Sequence, residues 1–362
     1  MILVSFLGDF DSNILPLFFH YSEDIRLHIL VTDKRHSDQQ HAKRIQVGLQ
    51  RFCTHLDIDL ELQSMGYDED SAENIHMLFD RISNLLQPNE KLLLNSTDAL
   101  ASTQAIVQPR LFALQGDLLA YDRFDNTCNI LSADGSMQKE IVSPMTINQH
   151  LMLKDLQFEQ HIDEAELLPR KDIVMRLMQD SGRYNAFKNA FLNNRSLENY
   201  RDIIDDLKQI DQYNRFYIQG TLFEEYCYWL TQGLGFDDVQ LGTVVYYDKE
   251  RTIDYKNELD ILCIKDNHLN IIECKFRNHV RKGEDIVFKY DAIIDLLDED
   301  GKVMIVAIGG KNDQGHKGIQ FNNATKYRAK SNNIYIFQDE VMDPQKFRYR
   351  VQNFFITSTK TN

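Results

Sequence analysis

The segment 257–277, NELDILCIKDNHLNIIECKFR, constrains the fold more than any other stretch of the chain. Two apolar runs, LDILCI and LNIIEC, are joined by the short polar turn 266–268, which is the pattern of a β-hairpin. Apolar residues occupy both phases of each run, which indicates strands buried on both faces. Three charged residues nevertheless interrupt the runs: Asp260, Glu273 and Lys275. Because a buried strand does not tolerate unpaired charges, these three residues need partners.

The three charges have the composition of a metal site. Glu273 and Lys275 are two residues apart and therefore point to one face of their strand, with Cys274 on the other. Asp260 lies on the partner strand, where facing side chains approach to about 5 Å. Two carboxylates this close repel each other unless a cation lies between them. We therefore predict that Asp260 and Glu273 bind Mg²⁺ or Mn²⁺, with Lys275 activating a water or stabilising phosphate charge.

The first 145 residues alternate strands with helices. Apolar strand patterns occur in MILVSFLG, LHILVTD, LDIDLELQSM and KLLLNST, with helical spacing in 41–56 and 71–86 between them. This alternation predicts a doubly wound, Rossmann-like parallel sheet, finished by a hairpin of LLAYDRF and NILSADG. Ligands of such sheets bind beyond the carboxyl ends of the strands. Here those ends carry Gly8, Asp9, Phe10, Asp11, Ser12, Asn95, Ser96 and Thr97.

A second domain follows a charged boundary. TINQHLMLKDLQFEQ (146–160) predicts a connecting helix, and HIDEAELLPRKD (161–172) contains Pro169 among charged residues. Helices are predicted within 172–192 and 196–233, before the strand-rich region that contains the hairpin. The predicted fold class is therefore α/β throughout, in two domains. The predicted division is 1–145 for the first domain, 146–170 for the connection and 171–362 for the second domain.

The charge distribution favours nucleic-acid binding by the second domain only. The formal net charge of −15 argues against a basic coat over the whole protein. Residues 1–150 hold 11 basic and 21 acidic side chains, whereas residues 171–362 hold 27 and 29. The second domain therefore has enough cations for a local phosphate-binding groove. The candidate nucleic-acid-binding residues are Arg277, Arg281, Lys282 and Lys289.

Cysteine usage and hydropathy indicate a cytoplasmic protein. The five cysteines are odd in number and scattered, without a CxxC pair, so neither a disulfide framework nor a zinc knuckle is predicted. The N-terminus has no basic segment before its apolar run, and no stretch of about 18 apolar residues occurs. We therefore expect no signal peptide, no membrane span and no membrane partner.

The order of Asp260, about twelve residues and E-x-K resembles the PD-(D/E)XK nuclease superfamily. Many members place a further acid on the preceding helix, and Glu224 in QGTLFEEYCYWL occupies that position. Glu225 is an alternative, but Glu224 fits the G-x-x-x-E spacing from Gly220. The resemblance implies that Asp260, Glu273, Lys275 and Glu224 are catalytic. The Pro-Asp pair that is usual in this superfamily is Leu259-Asp260 here, so the aspartate that would bind the metal is retained.

Over nearly its full length the chain resembles the CRISPR-associated ancillary nucleases of type III systems. The resemblance rests on MILVSFLGDFDSN, ILVTDKRHSDQQHAKRIQVGL and TINQHLMLKDLQF in the first half. In the second half it rests on GTLFEEY, NELDIL, IIECKF, VFKYDAI and KYRAKSNNIYIF. It implies an N-terminal CARF domain that senses a cyclic oligoadenylate, with cyclic tetra-adenylate as the expected ring. It also implies a homodimer and a C-terminal PD-(D/E)XK nuclease that cuts DNA, with RNA as a second substrate.

The loop after the fourth strand departs from this family. Members often carry an N-x-T-G-G-T-K-like loop there, and this chain reads Asn95-Ser-Thr-Asp-Ala-Leu-Ala-Ser-Thr103. Such a loop brings amides and hydroxyls, Thr103 included, to ligand phosphates, which Asp98 would repel. Two alternatives therefore stay open. One is a non-enzymatic sensor with a nucleic-acid-binding domain, and the other is a constitutive restriction- or repair-type nuclease.

Overall fold

The computed structural model describes residues 1–8, 11–33, 36–68, 71–160, 162–246, 256–277, 281–309, 319–338 and 342–357. The chain forms two compact units, Met1–Gln157 and Phe158–Asn362, and the division between them lies inside the segment 146–170. Each unit is an α/β domain, so the predicted fold class is confirmed. Among the described residues, no helix is long and apolar enough to cross a membrane.

The first unit is built on a sheet of seven strands. They are β1 (Ile2–Phe6), β2 (Leu27–Asp33), β3 (Glu61–Tyr67), β4 (Leu92–Asn95), β5 (Asp117–Asp122), β6 (Thr127–Leu131) and β7 (Met137–Ile141). Their order is β3-β2-β1-β4-β5-β6-β7. The first five strands pair in parallel, and β5, β6 and β7 pair antiparallel. β7 was not predicted because its sequence, MQKEI, is mostly exposed and has no apolar face.

In the part of this unit that the structure describes, five helices accompany the sheet: α1 (Leu15–Tyr21), α2 (His36–Leu56), α3 (Ala72–Ser83), α4 (Ala101–Ala113) and α5 (Ile147–Leu153). Helix α3 begins as predicted, because the Ser71 side chain accepts a hydrogen bond from Asn74 N. The predicted connecting helix 146–160 is too long. It ends at Leu153, because Asp155 adopts a left-handed backbone (φ 57°) and Leu156 N donates to Leu151 O.

The second unit contains a six-stranded mixed sheet. Its strands are β8 (Gln157–Gln160), β9 (Asp238–Tyr246), β10 (Lys256–Lys265), β11 (His268–Arg277), β13 (Val303–Gly309) and β15 (Ile334–Gln338), and the short strands β12 (Arg281–Lys282) and β14 (Ile319–Gln320) pair separately. The order is β15-β13-β11-β10-β9-β8. β9, β10 and β11 are antiparallel, whereas β11, β13 and β15 are parallel.

The predicted hairpin is formed by β10 and β11, and its turn is one residue shorter than expected. Lys265 pairs with His268, so that Asp266 and Asn267 alone make the turn. Both have positive φ, 52° and 66°, which is the two-residue geometry that matches the twist of paired strands. The buried centre of the hairpin, from Ile261 to Ile272, is inaccessible at its apolar positions. The prediction of strands buried on both faces is confirmed.

Helices cover the second sheet: α6 (Glu164–Leu167), α7 (Lys171–Gln179), α8 (Ser181–Leu192), α9 (Arg201–Gln209), α10 (Leu222–Thr231), α11 (Glu284–Leu297), α12 (Asn323–Ser331) and α13 (Pro344–Val351). The helix predicted over 172–192 is divided at Asp180, whose carboxylate accepts from Arg183 N and so begins a new helix. A π-helical turn, Tyr217–Thr221, leads directly into α10. Apolar side chains of α7, α8 and α10 pack with one face of β10 and β11 to form the core.

Candidate active site

β10 and β11 stop pairing where the charged residues begin. Their ladder ends at the pair Ile261–Ile272. At the next step Asp260 Oδ2 accepts a hydrogen bond from Cys274 N at 2.7 Å, so a carboxylate pairs with the strand instead of a backbone carbonyl. β11 itself continues beside β13 as far as Arg277. The gap between the two strands beyond this point forms part of a cavity of about 710 Å³, which Asp260 and Glu273 both line.

Lys275 supplies the cation that the two carboxylates require. Its Nζ contacts Glu273 Oε1 and lies 3.4 Å from Asp260 Oδ2. Cys274, between Glu273 and Lys275 in sequence, is buried in the apolar core on the opposite face of the strand. Burial lowers the pKa of Lys275, but the charges of Asp260 and Glu273 outweigh it and hold that pKa above its usual value. The lysine is therefore a fixed positive charge in this arrangement.

Glu224 adds a further carboxylate to the same cavity, whose lining also includes Glu258. It lies in the first turn of α10, just after the π-helical turn, a helix defect that is common at functional sites. Burial raises the pKa of Glu224 to about 8, with repulsion from Asp260 as the next cause. Glu225 points elsewhere: it is fully buried, and Tyr217 Oη donates to its carboxylate at 2.7 Å. Of the two adjacent acids, only Glu224 lines the cavity among its described residues.

Tyr290 hydrogen-bonds to Glu273, and it was not among the site residues predicted from the sequence. This residue is buried on α11, and its Oη donates a hydrogen bond to Glu273 Oε2. Burial raises the pKa of Glu273 to about 7, repulsion from Asp260 adds to the rise, and Lys275 and Tyr290 oppose it. The available signal was a tyrosine on the apolar face of a helix that follows the hairpin, because a buried phenol needs a hydrogen-bond partner.

We expect Tyr290→Phe to reduce the metal-dependent cleavage that the sequence resemblance implies roughly 10-fold near neutral pH, because one hydrogen bond to a buried carboxylate is lost. The loss also raises the pKa of Glu273, so the rising limb of the pH–rate profile should move to higher pH. Tyr184→Phe is the matched control, since it removes a buried phenol that donates to Ile218 O at 3.2 Å. A Tyr290→Phe profile that overlays the wild-type one would contradict this role.

Of the four residues predicted to bind nucleic-acid phosphates, only Lys289 has a side chain that the structure describes. Lys289 is exposed, lines the cavity and lies with its Nζ 5.1 Å from the centroid of the Tyr290 ring. The backbones of Arg277, Arg281 and Lys282 lie in β11 and β12, but their side chains are outside what the structure describes. Lys256, at the start of β10, also lines the cavity and was not predicted. Lys256 and Lys289 therefore add positive charge to a cavity lined by four acidic residues, Glu224, Glu258, Asp260 and Glu273.

In the first unit, the structure brings together residues that follow β1 and β4. Asn95 Nδ2 donates to Asn13 O at 2.9 Å, and Thr97 Oγ1 donates to Asn95 Oδ1 at 2.6 Å. Asn13 Nδ2 in turn donates to Asp98 Oδ1 at 2.7 Å. A Cβ on Gly8 would lie 2.5 Å from Asp98 Cγ, so only glycine allows this approach. Asp98 thus accepts a hydrogen bond between the two loops.

Asp11 belongs to a charged cluster rather than to an open surface. The buried carboxylate contacts His41 and lies 3.0 Å from Arg44 Nη2 and 3.2 Å from Lys154 Nζ. Burial would raise the pKa of Asp11, but the His41 hydrogen bond and the Lys154 and Arg44 charges outweigh it and hold that pKa well below its usual range. Asp11 therefore fixes the backbone after β1 against α2 and the end of α5.

The remaining predicted ligand residues are either buried or outside the described part of the chain. Ser96 is buried, and its Oγ donates to Leu119 O at 3.0 Å. Thr103 is fully buried in the first turn of α4. Asp9 and Phe10 lie outside the described residues, as does the side chain of Ser12.

A group of side chains that could hold a metal ion lies at the other end of the hairpin. The ligand atoms of His268, Asp298 and Asp300 are within 4.8 Å of one another. Asp298 already accepts hydrogen bonds from Leu269 N at 2.8 Å and from Asp300 N at 3.0 Å, so it joins the hairpin to the end of α11. This group was not predicted from the sequence, because His268 lies thirty residues before Asp298.

Comparison with known proteins matches part of the second unit to a family and the fold of the whole chain to solved structures. Residues 211–323 match the family of Card1-like endonuclease domains. The structure of VC1899 from Vibrio cholerae is 14% identical, covers 100% of this chain and 99% of its own, and gives a TM-score of 0.74. Can2 from Sulfobacillus thermosulfidooxidans, solved in complex with cyclic tetra-adenylate, is 16% identical over 98% of both chains, with a TM-score of 0.67. A search of curated proteins found no match. At these identities the structural likeness is one of fold.

Proposed function

We propose that this chain is a metal-dependent endonuclease gated by a cyclic oligoadenylate, starting from the match of residues 211–323 to the Card1-like endonuclease domains. The observation that carries the proposal is the convergence of Glu224, Asp260 and Glu273 with Lys275 on one cavity. These side chains come from a helix and two strands that the fold must assemble. A solvated strand face would not bury the carboxylates of Asp260 and Glu273, which are 9% and 2% exposed.

The donor set fits a hard divalent cation. Glu224 and Glu273 both have raised pKa values, about 8 and about 7, which reports repulsion and burial that a further cation would relieve. Carboxylate oxygens are the ligands that Mg²⁺ and Mn²⁺ prefer. Asp260 and Glu273 would hold the ion, and Glu224 would complete the acidic wall. When bound, the ion supplies Lewis-acid stabilisation of phosphate charge.

The remaining steps belong to the side chains of this chain. The Lys275 ammonium, now between two carboxylates, would donate to a non-bridging oxygen of the scissile phosphate and stabilise its growing charge. Asp260 stays oriented by Cys274 N, and Glu273 by Tyr290. Glu224 would accept a hydrogen bond from the attacking water and so orient it. Lys289, with Arg277, Arg281 and Lys282, would hold flanking phosphates of DNA, and of RNA as a second substrate.

The first unit is proposed to be the sensor, with 1–145 as its domain, 146–170 as the connection and 171–362 as the nuclease. Its fold is shared with Can2, whose structure contains cyclic tetra-adenylate, and this ring is the expected activator. The ligand would lie beyond the carboxyl ends of β1 and β4. The residues proposed to form the ligand site are Gly8, Asp9, Phe10, Asp11, Ser12, Asn95, Ser96, Thr97 and Thr103. Of these, the buried Asp11, Asn95, Ser96 and Thr103 would position the two loops. Two copies of the chain would form a homodimer, in which the two first units provide one symmetric pocket for the ring. The biological role proposed for the enzyme is type III CRISPR antiviral defence.

The test is cleavage of plasmid DNA, single-stranded DNA and RNA with Mn²⁺ or Mg²⁺, each with and without cyclic tri-, tetra- or hexa-adenylate. We expect cleavage with one ring size, cyclic tetra-adenylate, and none in EDTA. Cleavage that is indifferent to every ring would favour a constitutive nuclease and overturn the gate. Nucleic-acid binding without cleavage under all of these conditions would favour a non-enzymatic sensor and overturn the nuclease.

A further inference from the structure

Phe216 is an exposed aromatic side chain on the wall of the acidic cavity. It is 85% exposed, and it lines the same cavity as Asp260 and Glu273. A single exposed apolar residue is ordinary on a protein surface. Its position is informative here, because the exposed ring borders a cavity that otherwise presents mainly charged and polar groups.

The backbone that carries Phe216 is firmly anchored. Asn214 Oδ1 accepts a hydrogen bond from Tyr217 N at 2.9 Å, and Ile218 N donates to Asn214 O at 3.1 Å. Tyr217 is buried, with its Oη on the Glu225 carboxylate, and Ile218 is buried in the core. These two residues hold the turn in place next to the exposed ring. A ring on a fixed backbone loses little conformational entropy when it binds a ligand.

The neighbours of Phe216 on the cavity wall suit a nucleotide. Lys256 and Lys289 line the cavity with it, and ammonium groups of this kind bind phosphates without sequence preference. Base stacking on an aromatic ring is favourable for every base, because each base has a π-face. The combination of one ring, two lysines and the acidic centre therefore matches one nucleotide next to the cleaved bond.

We infer that Phe216 stacks on the base of a nucleotide that flanks the scissile phosphate and thereby positions that phosphate at Asp260, Glu273 and Lys275. This inference rests on the proposed nuclease function. It adds to that function a positioning residue that contacts a base of the substrate rather than the sugar–phosphate backbone. The enzyme should then depend on the presence of a base at one defined position relative to the cut.

Cleavage of single-stranded oligonucleotides with one abasic site, moved stepwise along a mapped cut site, tests this dependence. With Mn²⁺ and cyclic tetra-adenylate, the wild-type kcat/KM should fall roughly 10-fold when the abasic site reaches the stacked position. Phe216→Ala should lose a similar factor on the intact oligonucleotide and nothing further at that abasic position. Phe216→Tyr should behave as the wild type, whereas Phe216→Leu, which keeps apolar bulk without a π-face, should behave as the alanine variant.

Tyr349→Ala is the matched control, since Tyr349 is a 60% exposed aromatic of the same unit that lies outside the cavity lining. It should leave the abasic profile unchanged. The inference would be overturned if the fold-losses in kcat/KM from Phe216→Ala and from the abasic site multiplied when combined, because the ring and the base would then act independently. Wild-type cleavage rates for Phe216→Ala on the intact oligonucleotide would also overturn it.

A binding measurement separates this inference from the nuclease proposal. Oligonucleotides with 2-aminopurine at successive positions are titrated with the full-length Glu273→Gln protein, with and without Phe216→Ala, in the presence of cyclic tetra-adenylate. Quenching at one position that Phe216→Ala abolishes would support stacking even if no cleavage is ever detected. Equal quenching by both proteins, or no binding by either, would overturn the stacking role whether or not the wild type cuts.

Discussion

Asp260→Asn and Glu273→Gln are each expected to reduce the proposed metal-dependent cleavage by at least about 10³-fold, because each would remove an anionic oxygen from the proposed metal site, whose ion would contribute several kcal/mol of transition-state stabilisation. The amide variants test the role of the negative charge more specifically than alanine variants do. In Asp260→Asn, the side-chain amide oxygen could still accept from Cys274 N, a bond that measures 2.7 Å here. Alanine would leave that buried N–H without its acceptor and mix a folding defect with the loss of chemistry.

The measurement is the initial rate of oligonucleotide cleavage at saturating Mn²⁺ and cyclic tetra-adenylate. Binding of the cyclic ligand should be unaltered in both variants, because the substitutions lie in the second unit. Glu284→Gln, which changes an exposed acid in the first turn of α11, serves as the control and should cut at the wild-type rate. Full activity in either amide variant would refute the assignment of this metal site.

Lys275→Met should both lower cleavage, by about 10²-fold, and destabilise the metal-free second unit. The ammonium lies between two buried carboxylates, and removing one partner of a buried ionic group costs about 3 kcal/mol in the free energy of unfolding. Lys275 also lowers the pKa of Glu224 and of Glu273. Without it both pKa values rise further, so the carboxylates become more costly to ionise.

The pH dependence of this destabilisation has a definite sign. An acid whose folded pKa is raised makes the protein less stable as pH rises from the unfolded pKa to the folded one, because only the unfolded state has then lost the proton. The folded values are about 8 for Glu224 and about 7 for Glu273. The cost of Lys275→Met should therefore be larger at pH 8 than near pH 6, where both carboxyls hold protons. Added Mn²⁺ should restore much of the stability at the higher pH, because it binds only the folded site.

Denaturant unfolding in EDTA, followed by tryptophan fluorescence, measures this effect. The only tryptophan of the chain, Trp229, lies in α10 and reports on the second unit alone. Lys289→Met is the control, since Lys289 lines the cavity as an exposed side chain and its loss should change stability by less than about 0.5 kcal/mol. Equal stabilities of Lys275→Met and the wild type at both pH values would show that the lysine does not balance the acids.

The hairpin and its charges were predictable because strand periodicity is local. Alternation places Glu273 and Lys275 on one face whatever the rest of the chain does. The choice between Glu224 and Glu225 was different. Adjacent helical residues point about 100° apart. The π-helical turn before α10 changes the direction in which the following side chains point, and no local sequence pattern predicts that turn. Only the packed helix directs Glu224 to the cavity and Glu225 to Tyr217.

By itself, the sequence determined the α/β class, the hairpin, the E-x-K pair and the apolar strands, because these follow from short-range pattern and burial. The tertiary structure alone decided the contacts between residues far apart in the chain. It joined Tyr290 to Glu273, Lys154 and His41 to Asp11, and Phe216 to the cavity wall. Such contacts depend on how helices pack against sheets, which sets distance and side-chain direction together, and no local periodicity encodes either.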